Sequence, residues 1–251
     1  MIPKTIHYCW LSNDPIPQKL QDCMSTWKAK LPEYEFVLWN FDRFDIDSSL
    51  WVRQAFENKK YAFAADFIRL YAVYNYGGFY LDMDIEVLRS FDDLLNNEIV
   101  LAYENDNGNI EAGCFGAEKG NLLIKNCLDY YTDRHFVKPD GSFDILTLPV
   151  IMSRFISSNN ASLNDKYFFT CKSFETGVVS TKDYSYTIHH FAGSWLPEEE
   201  RIIMDYFRRM QQKYPRFIAV FLAIVYGFFV RITKAGIKKS FIHYKKQITG
   251  K

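Results

Sequence analysis

With 251 residues, 48% of them hydrophobic and 18% aromatic, the chain is too apolar for a disordered segment and long enough for one large α/β domain or two small ones. Acids and bases balance at 30 each, yet eleven of the bases lie beyond Asp205, where there is no acid, leaving 19 bases against 30 acids before it. An acidic body with a basic tail argues against nucleic acid as a partner, and an odd five cysteines without C-x-x-C spacing argue against a disulfide framework or a zinc site.

Thr5 to Trp10 reads as a first strand, preceded by Pro3 and closed by Ser12-Asn13-Asp14-Pro15. The opening MIPKTIHYCW has no signal-peptide apolar run and no leading anchor, so a cytoplasmic protein is expected. Within this strand a lone His7 is expected to be structural. Leu20, Cys23, Met24, Trp27 and Leu31 recur at helical spacing between Pro17 and Pro32. Tyr34 to Trp39 is a second strand and Leu50 to Asn58 a short helix. Strand, helix, strand in this order predicts an α/β fold with a mostly parallel sheet, whose ligands sit beyond the C-terminal strand ends.

The stretch from Lys60 to Leu88 is the most informative. Between Lys60 and Asp82 the only charges are Asp66 and Arg69, on a helix whose Phe63, Phe67, Leu70, Tyr71 and Tyr74 form a buried stripe. Charges on such a helix must pair or reach a polar cleft. Asn75-Tyr76-Gly77-Gly78 ends the helix, and Phe79 to Val87 then alternates apolar residues with acids, as a strand does. An extended chain puts Asp82, Asp84 and Glu86 on one face. Three carboxylates side by side call for a cation, and hard oxygen ligands suit Mn or Mg; a solvated edge strand is the plainer alternative.

Ile99 to Glu104 and Ile110 to Gly116 read as further strands, the second with small residues that let a ligand approach the backbone. Asn121 to Arg134 and Thr147 to Phe155 read as helices, and Tyr167 to Cys171 and Tyr184 to Ile188 as late strands. The last of these runs into His189-His190-Phe191-Ala192-Gly193-Ser194-Trp195. Pro197 to Tyr214 is a charged helix, followed by fourteen apolar residues, Phe217 to Val230, and then a basic segment. A comfortable membrane span needs about 20 residues. An apolar helix with a polybasic flank therefore predicts attachment to a membrane surface, against a core-packed helix or a subunit interface. The expected division is a catalytic domain over 1–205 and a helical tail over 206–251.

The run AADFIRLYAVYNYGGFYLDMDIE resembles the signature of the DXD sugar-binding glycosyltransferases, glycosyltransferase family 32 in particular, and is similar to the glucosylating domains of large clostridial toxins. Ala65 departs from the serine usual before the aspartate. The opening resembles the family's P-K-x-I-H-x-x-W, and HHFAGSW its H-x-x-G-S-W block. The resemblance implies a GT-A-type, Rossmann-like fold that binds a nucleotide-sugar donor. It implies a retaining, metal-dependent hexosyltransferase acting on a saccharide or lipid-linked saccharide acceptor. A UDP-sugar is the expected donor. The expected setting is bacterial capsule, exopolysaccharide or lipopolysaccharide synthesis, at the inner face of the plasma membrane. It further implies that Trp10 stacks on the base, that Asp66 and Arg69 hold the sugar or diphosphate, and that Asp82 and Asp84 bind the ribose and a Mn or Mg ion. Glu111 would line the donor sugar, His190 or Ser194 would complete the metal shell, and the Trp195 indole would donate to a phosphate oxygen. Two other readings stay open. A haloacid-dehalogenase-type phosphatase also ends a strand in D-x-D, although it wants Thr or Val where this chain has Glu86. A catalytically silent sugar-binding membrane adaptor would bind donor without turnover.

Overall fold

Proline, glycine and short polar caps set most element boundaries in the computed structural model, which describes residues 1–156, 161–193 and 198–249, with side chains up to Thr233. β1 (Thr5–Cys9) follows Pro3, and α1 (Gln18–Lys30) starts directly after Pro17. Lys28 and Lys30 fall in its last turn, where they complement the negative end of the helix dipole. After β2 (Glu35–Trp39), Ser49 caps α2 (Leu50–Glu57) by accepting from the Val52 N–H. α3 (Tyr61–Tyr76) buries Ala64, Ile68, Leu70, Ala72 and Val73, and stops at Gly77. Gly77 and Gly78 take φ of +68° and +104°, and a Cβ on Gly78 would lie 2.6 Å from the Thr5 carbonyl oxygen. Glycine is what lets β3 (Gly78–Leu81) enter the sheet beside β1.

With β4 (Ile85–Val87), β5 (Ile99–Val100) and β6 (Cys114–Ala117), the first compact unit builds a five-stranded sheet in the order β2-β1-β3-β6-β5. β1 pairs in parallel with β2 and β3, while β6 is antiparallel to both β3 and β5. Four of the five strands thus point one way, as expected of a mostly parallel sheet. α4 (Leu122–Asp129), capped by the Asn121 side chain, and α5 (Leu148–Ile156) join α2 and α3 in covering the core. Trp51 of α2 meets Tyr131 and Phe136 edge-on at 4.9 and 5.1 Å.

Two expectations need correction. The acidic alternation from Phe79 to Val87 is not one strand: the chain turns at Asp82, with the Ile85 N–H donating to the Asp82 carbonyl at 3.0 Å. β4 then pairs with β7 (Thr187–His189) in a separate two-stranded antiparallel sheet. Tyr167 to Cys171 is not a strand either. Asp165 accepts from the Tyr167 N–H and starts a short helix, α6 (Lys166–Phe169), in its place. The chain divides into one unit of Met1–Lys172 with Val179–Phe191 and another of Ser173–Val178 with Ala192–Lys251. In the second unit α7 (Glu198–Gln211) packs along α8 (Arg216–Thr249), with Tyr206 stacked on Tyr226 at 4.1 Å and Ile203 set against Gly227.

Candidate active site and metal centre

Because β1 and β3 run parallel, with Ile6 beside Phe79 and His7 beside Tyr80, both end at the same edge of the sheet. Trp10 follows one strand and Asp82 the other, beyond the C-terminal ends where open α/β sheets place ligands. Cys9, the last residue of β1, is half-buried, its thiol beside Tyr80 and within reach of the Arg69 and Asp82 charges; desolvation pushes that thiol up to about 12. Trp10 itself is half-buried, its indole N–H donating to the Asp14 carbonyl at 3.0 Å.

Beneath Asp82 lies the charged pair of α3. Arg69 donates to the Ala112 carbonyl at 2.8 Å and pairs with Asp66 at 3.3 Å and Asp82 at 3.2 Å, its guanidinium 4.7 Å from the centre of the Tyr80 ring. The Tyr80 hydroxyl donates to Asp82 at 2.9 Å. Asp66 and Arg69, one helical turn apart, thus form a buried network that holds one Asp82 oxygen from below. Burial pushes the Asp66 carboxyl up to about 6, against the pull of Arg69. Desolvation also raises Asp82; Arg69 opposes it and Asp84 adds to it.

The turn from Asp82 to Ile85 brings the two aspartates together. Two residues along a strand stand about 6.6 Å apart. Here single donor atoms of Asp82, Asp84 and His189 all lie within 4.8 Å of one another. The antiparallel register sets His189 opposite Ile85, and its Nε2 is 3.5 Å from Asp84. Two carboxylate oxygens and an imidazole nitrogen converging on one point fit a divalent cation, and the nitrogen favours Mn over oxygen-seeking Mg.

The histidine in this cluster is not the expected one. His190 Nε2 instead meets Glu86 at 2.8 Å, while its backbone N–H donates to the Asp84 carbonyl at 3.0 Å. Successive strand side chains point to opposite sides, so a shift of one residue changes which histidine faces the aspartates. Glu111, expected to line the donor sugar, is fully buried. It accepts from the Gly113 N–H at 2.7 Å, from the Thr170 hydroxyl at 2.7 Å, and faces His189 Nδ1 at 2.9 and 3.1 Å. Burial works to raise its pKa, but the His189 charge and these donors bring it below the ordinary value. His189, between Glu111 and Asp84, is held well above the usual imidazole range despite its burial. Phe191 stacks on the His189 ring at 4.1 Å from an unusual φ of +51°.

Asp66, Arg69, Asp82 and Asp84 therefore come together, Glu111 joins them through His189, and Trp10 lies at the same sheet edge. Ser194 and Trp195 lie outside the described residues. Thr170 has no signal in the sequence at all, being contributed by the turn after α6.

Known proteins resemble the chain over part of its length, a part that includes Asp66, Arg69, Asp82 and Asp84. Residues 17–101 match the model described as "Glycosyltransferase sugar-binding region containing DXD motif". The chain is 29% identical over 143 residues to inositol phosphoceramide mannosyltransferase 3 of Schizosaccharomyces pombe, a match covering 54% of this chain and 40% of that protein. It is 33% identical over 99 residues to mannosyl phosphorylinositol ceramide synthase SUR1 of Saccharomyces cerevisiae, covering 38% of this chain and 26% of that one. The matches thus span less than half the length of these relatives. Among solved structures, "PaToxG Glycosyltransferase" is similar at a TM-score of 0.48 and 20% identity, over 62% of this chain and 70% of that one.

Proposed function

From a chain whose residues 17–101 carry the glycosyltransferase sugar-binding region with its DXD motif, we infer an enzyme that moves a hexose from a nucleoside diphosphate sugar to a saccharide or lipid-linked saccharide. The observation that carries this reading is the convergence of Asp82, Asp84 and His189 donors within 4.8 Å, at the end of β3. Those three residues would hold the cation, Mn by the reasoning on the nitrogen donor. When bound, a divalent ion supplies Lewis-acid stabilisation of the nucleoside diphosphate as it leaves.

The protein's own groups have separate tasks. Arg69, whose two terminal nitrogens meet Asp66, Asp82 and the Ala112 carbonyl, fixes the orientation of Asp82 and offsets the repulsion between two adjacent carboxylates. Trp10, at the same edge, supports an aromatic contact to the nucleobase. The relatives' names support mannose as the hexose and a lipid-borne acceptor. Family resemblance further supports retention of anomeric configuration. The setting inferred is glycan or glycolipid assembly at the inner face of a membrane, capsule or lipopolysaccharide among its products. The acid-free basic tail supports a negatively charged surface there.

The test is a thermal-shift screen with UDP-, GDP- and CMP-sugars, with and without Mn, followed by donor turnover in the wild type and in Asp84→Asn. Stabilisation by one sugar nucleotide only when Mn is present is expected, with turnover in Asp84→Asn reduced about 100-fold or more. An unchanged rate in that variant would sink the assignment.

A further inference from the structure

We propose that Glu111 is the positioning residue of the metal centre, holding His189 in the one tautomer and orientation that aim Nε2 at the cation site. The inference rests on the metal-dependent reading above and adds to it a residue with no direct contact to the ion.

Glu111 is 0% exposed, so it has no route to solvent or to a donor sugar. A carboxylate in such a place needs partners, and each oxygen has two. Oε1 takes the Gly113 N–H at 2.7 Å and faces His189 Nδ1 at 3.1 Å. Oε2 takes the Thr170 hydroxyl at 2.7 Å and faces the same Nδ1 at 2.9 Å. Gly113 and Thr170 thus anchor the carboxylate from two separate segments, and what it presents to His189 is a fixed acceptor. An ionised carboxylate only accepts, so Nδ1 must carry a proton. With the ring neutral, Nε2, 3.5 Å from Asp84 Oδ1, is then the nitrogen with a lone pair for a metal. A carboxylate behind a histidine ligand fixes its tautomer and raises its basicity as a ligand. Phe191, stacked at 4.1 Å with an interplanar angle of 25°, limits rotation of the ring about the same axis.

The decisive substitution is Glu111→Gln. Glutamine keeps the shape but offers an N–H2 group, which can donate to Nδ1 and so permit the tautomer with the proton on Nε2. In that tautomer His189 no longer ligates, although Asp82 and Asp84 still do. Mn binding to the full chain is read by electron paramagnetic resonance titration, and nitrogen coordination by electron spin echo modulation of the bound ion. The expected result is a 10- to 100-fold weaker Mn affinity and loss of the nitrogen modulation, with the circular dichroism spectrum unchanged. A purely structural role for Glu111 would not remove the nitrogen signal selectively. Retained modulation with wild-type affinity in Glu111→Gln overturns the proposal and leaves the metal reading standing. A wild type that binds no Mn overturns both. Should Glu111→Gln fail to fold, Thr170→Val is read instead, since it releases one anchor of Oε2. Weaker Mn binding there supports the proposal, and unchanged affinity overturns it.

Discussion

Gly113 occupies a point where three side chains of the site crowd one missing Cβ. A methyl group there would come within 2.8 Å of Asp82 Oδ2, 2.9 Å of Glu111 Oε1 and 3.0 Å of His189 Cε1. None of these atoms is free to give way, because Arg69 and Tyr80 hold Asp82, while Thr170 holds Glu111. Overpacking of this kind costs about 1–3 kcal/mol. Gly113→Ala is therefore expected to lower the melting temperature and to weaken Mn binding at least about tenfold, by analogy with the loss of an outer-shell partner. Calorimetry and the Mn titration check this; wild-type values for both would mean that the cluster yields without cost. The small residues from Ala112 to Gly116 were legible as a place of close approach; the chain's own groups that come close are carboxylates and an imidazole at Gly113 and the Phe79 ring at Gly116. The tandem histidines show the limit of reading residues alone. Asp82 and Asp84 could be singled out from their neighbours, whereas which of His189 and His190 faces them depends on the register against β4, which no local pattern encodes.

At the scale of elements, one buried histidine joins three of them. His7 of β1 accepts from the Trp39 indole of β2 at Nδ1, 3.1 Å away, and its Nε2 lies 2.8 Å from the carbonyl of Gly77, where α3 gives way to β3. Those roles need the neutral ring with its proton on Nε2, and burial lowers the pKa of His7 below the ordinary value of 6.5. A base whose folded pKa is depressed stabilises the fold fully above its unfolded pKa. That contribution is lost as pH falls below about 6.5 and through the folded value. The difference in unfolding free energy between wild type and His7→Gln is thus expected to shrink steadily from pH 7.5 to pH 5. Urea melts at several pH values measure it, and a constant gap would refute the pairing. Elements bounded by Pro17, Pro32 and Gly77-Gly78 were legible because those residues terminate a pattern whatever surrounds it. Two misreadings share one cause. Consecutive aromatics at 167–169 and alternating acids at 82–86 have strand-like composition, while Asp165 capping and the turn at Asp82 bend the chain after a few residues.

On the scale of the whole chain, a net charge of zero conceals an acidic body and a tail with eleven bases and no acid. That asymmetry was legible from composition, but the shape that carries it was not. The apolar and basic stretches form one helix, α8, of 34 residues, about 51 Å long at the standard rise. Between Arg216 and Thr233 it is long and apolar enough to cross a membrane by length and composition. Ala219, Ala223 and Gly227 recur every four residues along one buried or small-residue line, the side on which Ile203 and Tyr206 of α7 pack. The other side leaves Phe217 73%, Phe221 65% and Ile224 67% exposed, with Phe228 and Phe229 beyond them. α7 carries Glu198, Glu199, Glu200, Arg208 and Arg209, so a helix paired with it along this length cannot sit in hydrocarbon on both sides. We therefore expect α8 to lie in the interface plane, its exposed row in the acyl boundary and the basic segment on anionic headgroups. Flotation of the full chain with neutral and with anionic vesicles tests this. Binding is expected to anionic vesicles only, to weaken in high salt, and to be abolished by Phe221→Asp combined with Phe228→Asp, with donor turnover in solution unchanged. Alkaline carbonate should release the bound protein, because an in-plane helix is held by a few apolar contacts and about 1 kcal/mol per nearby base. Resistance to carbonate would instead make α8 a span, and equal binding to neutral vesicles would remove the electrostatic half of the argument.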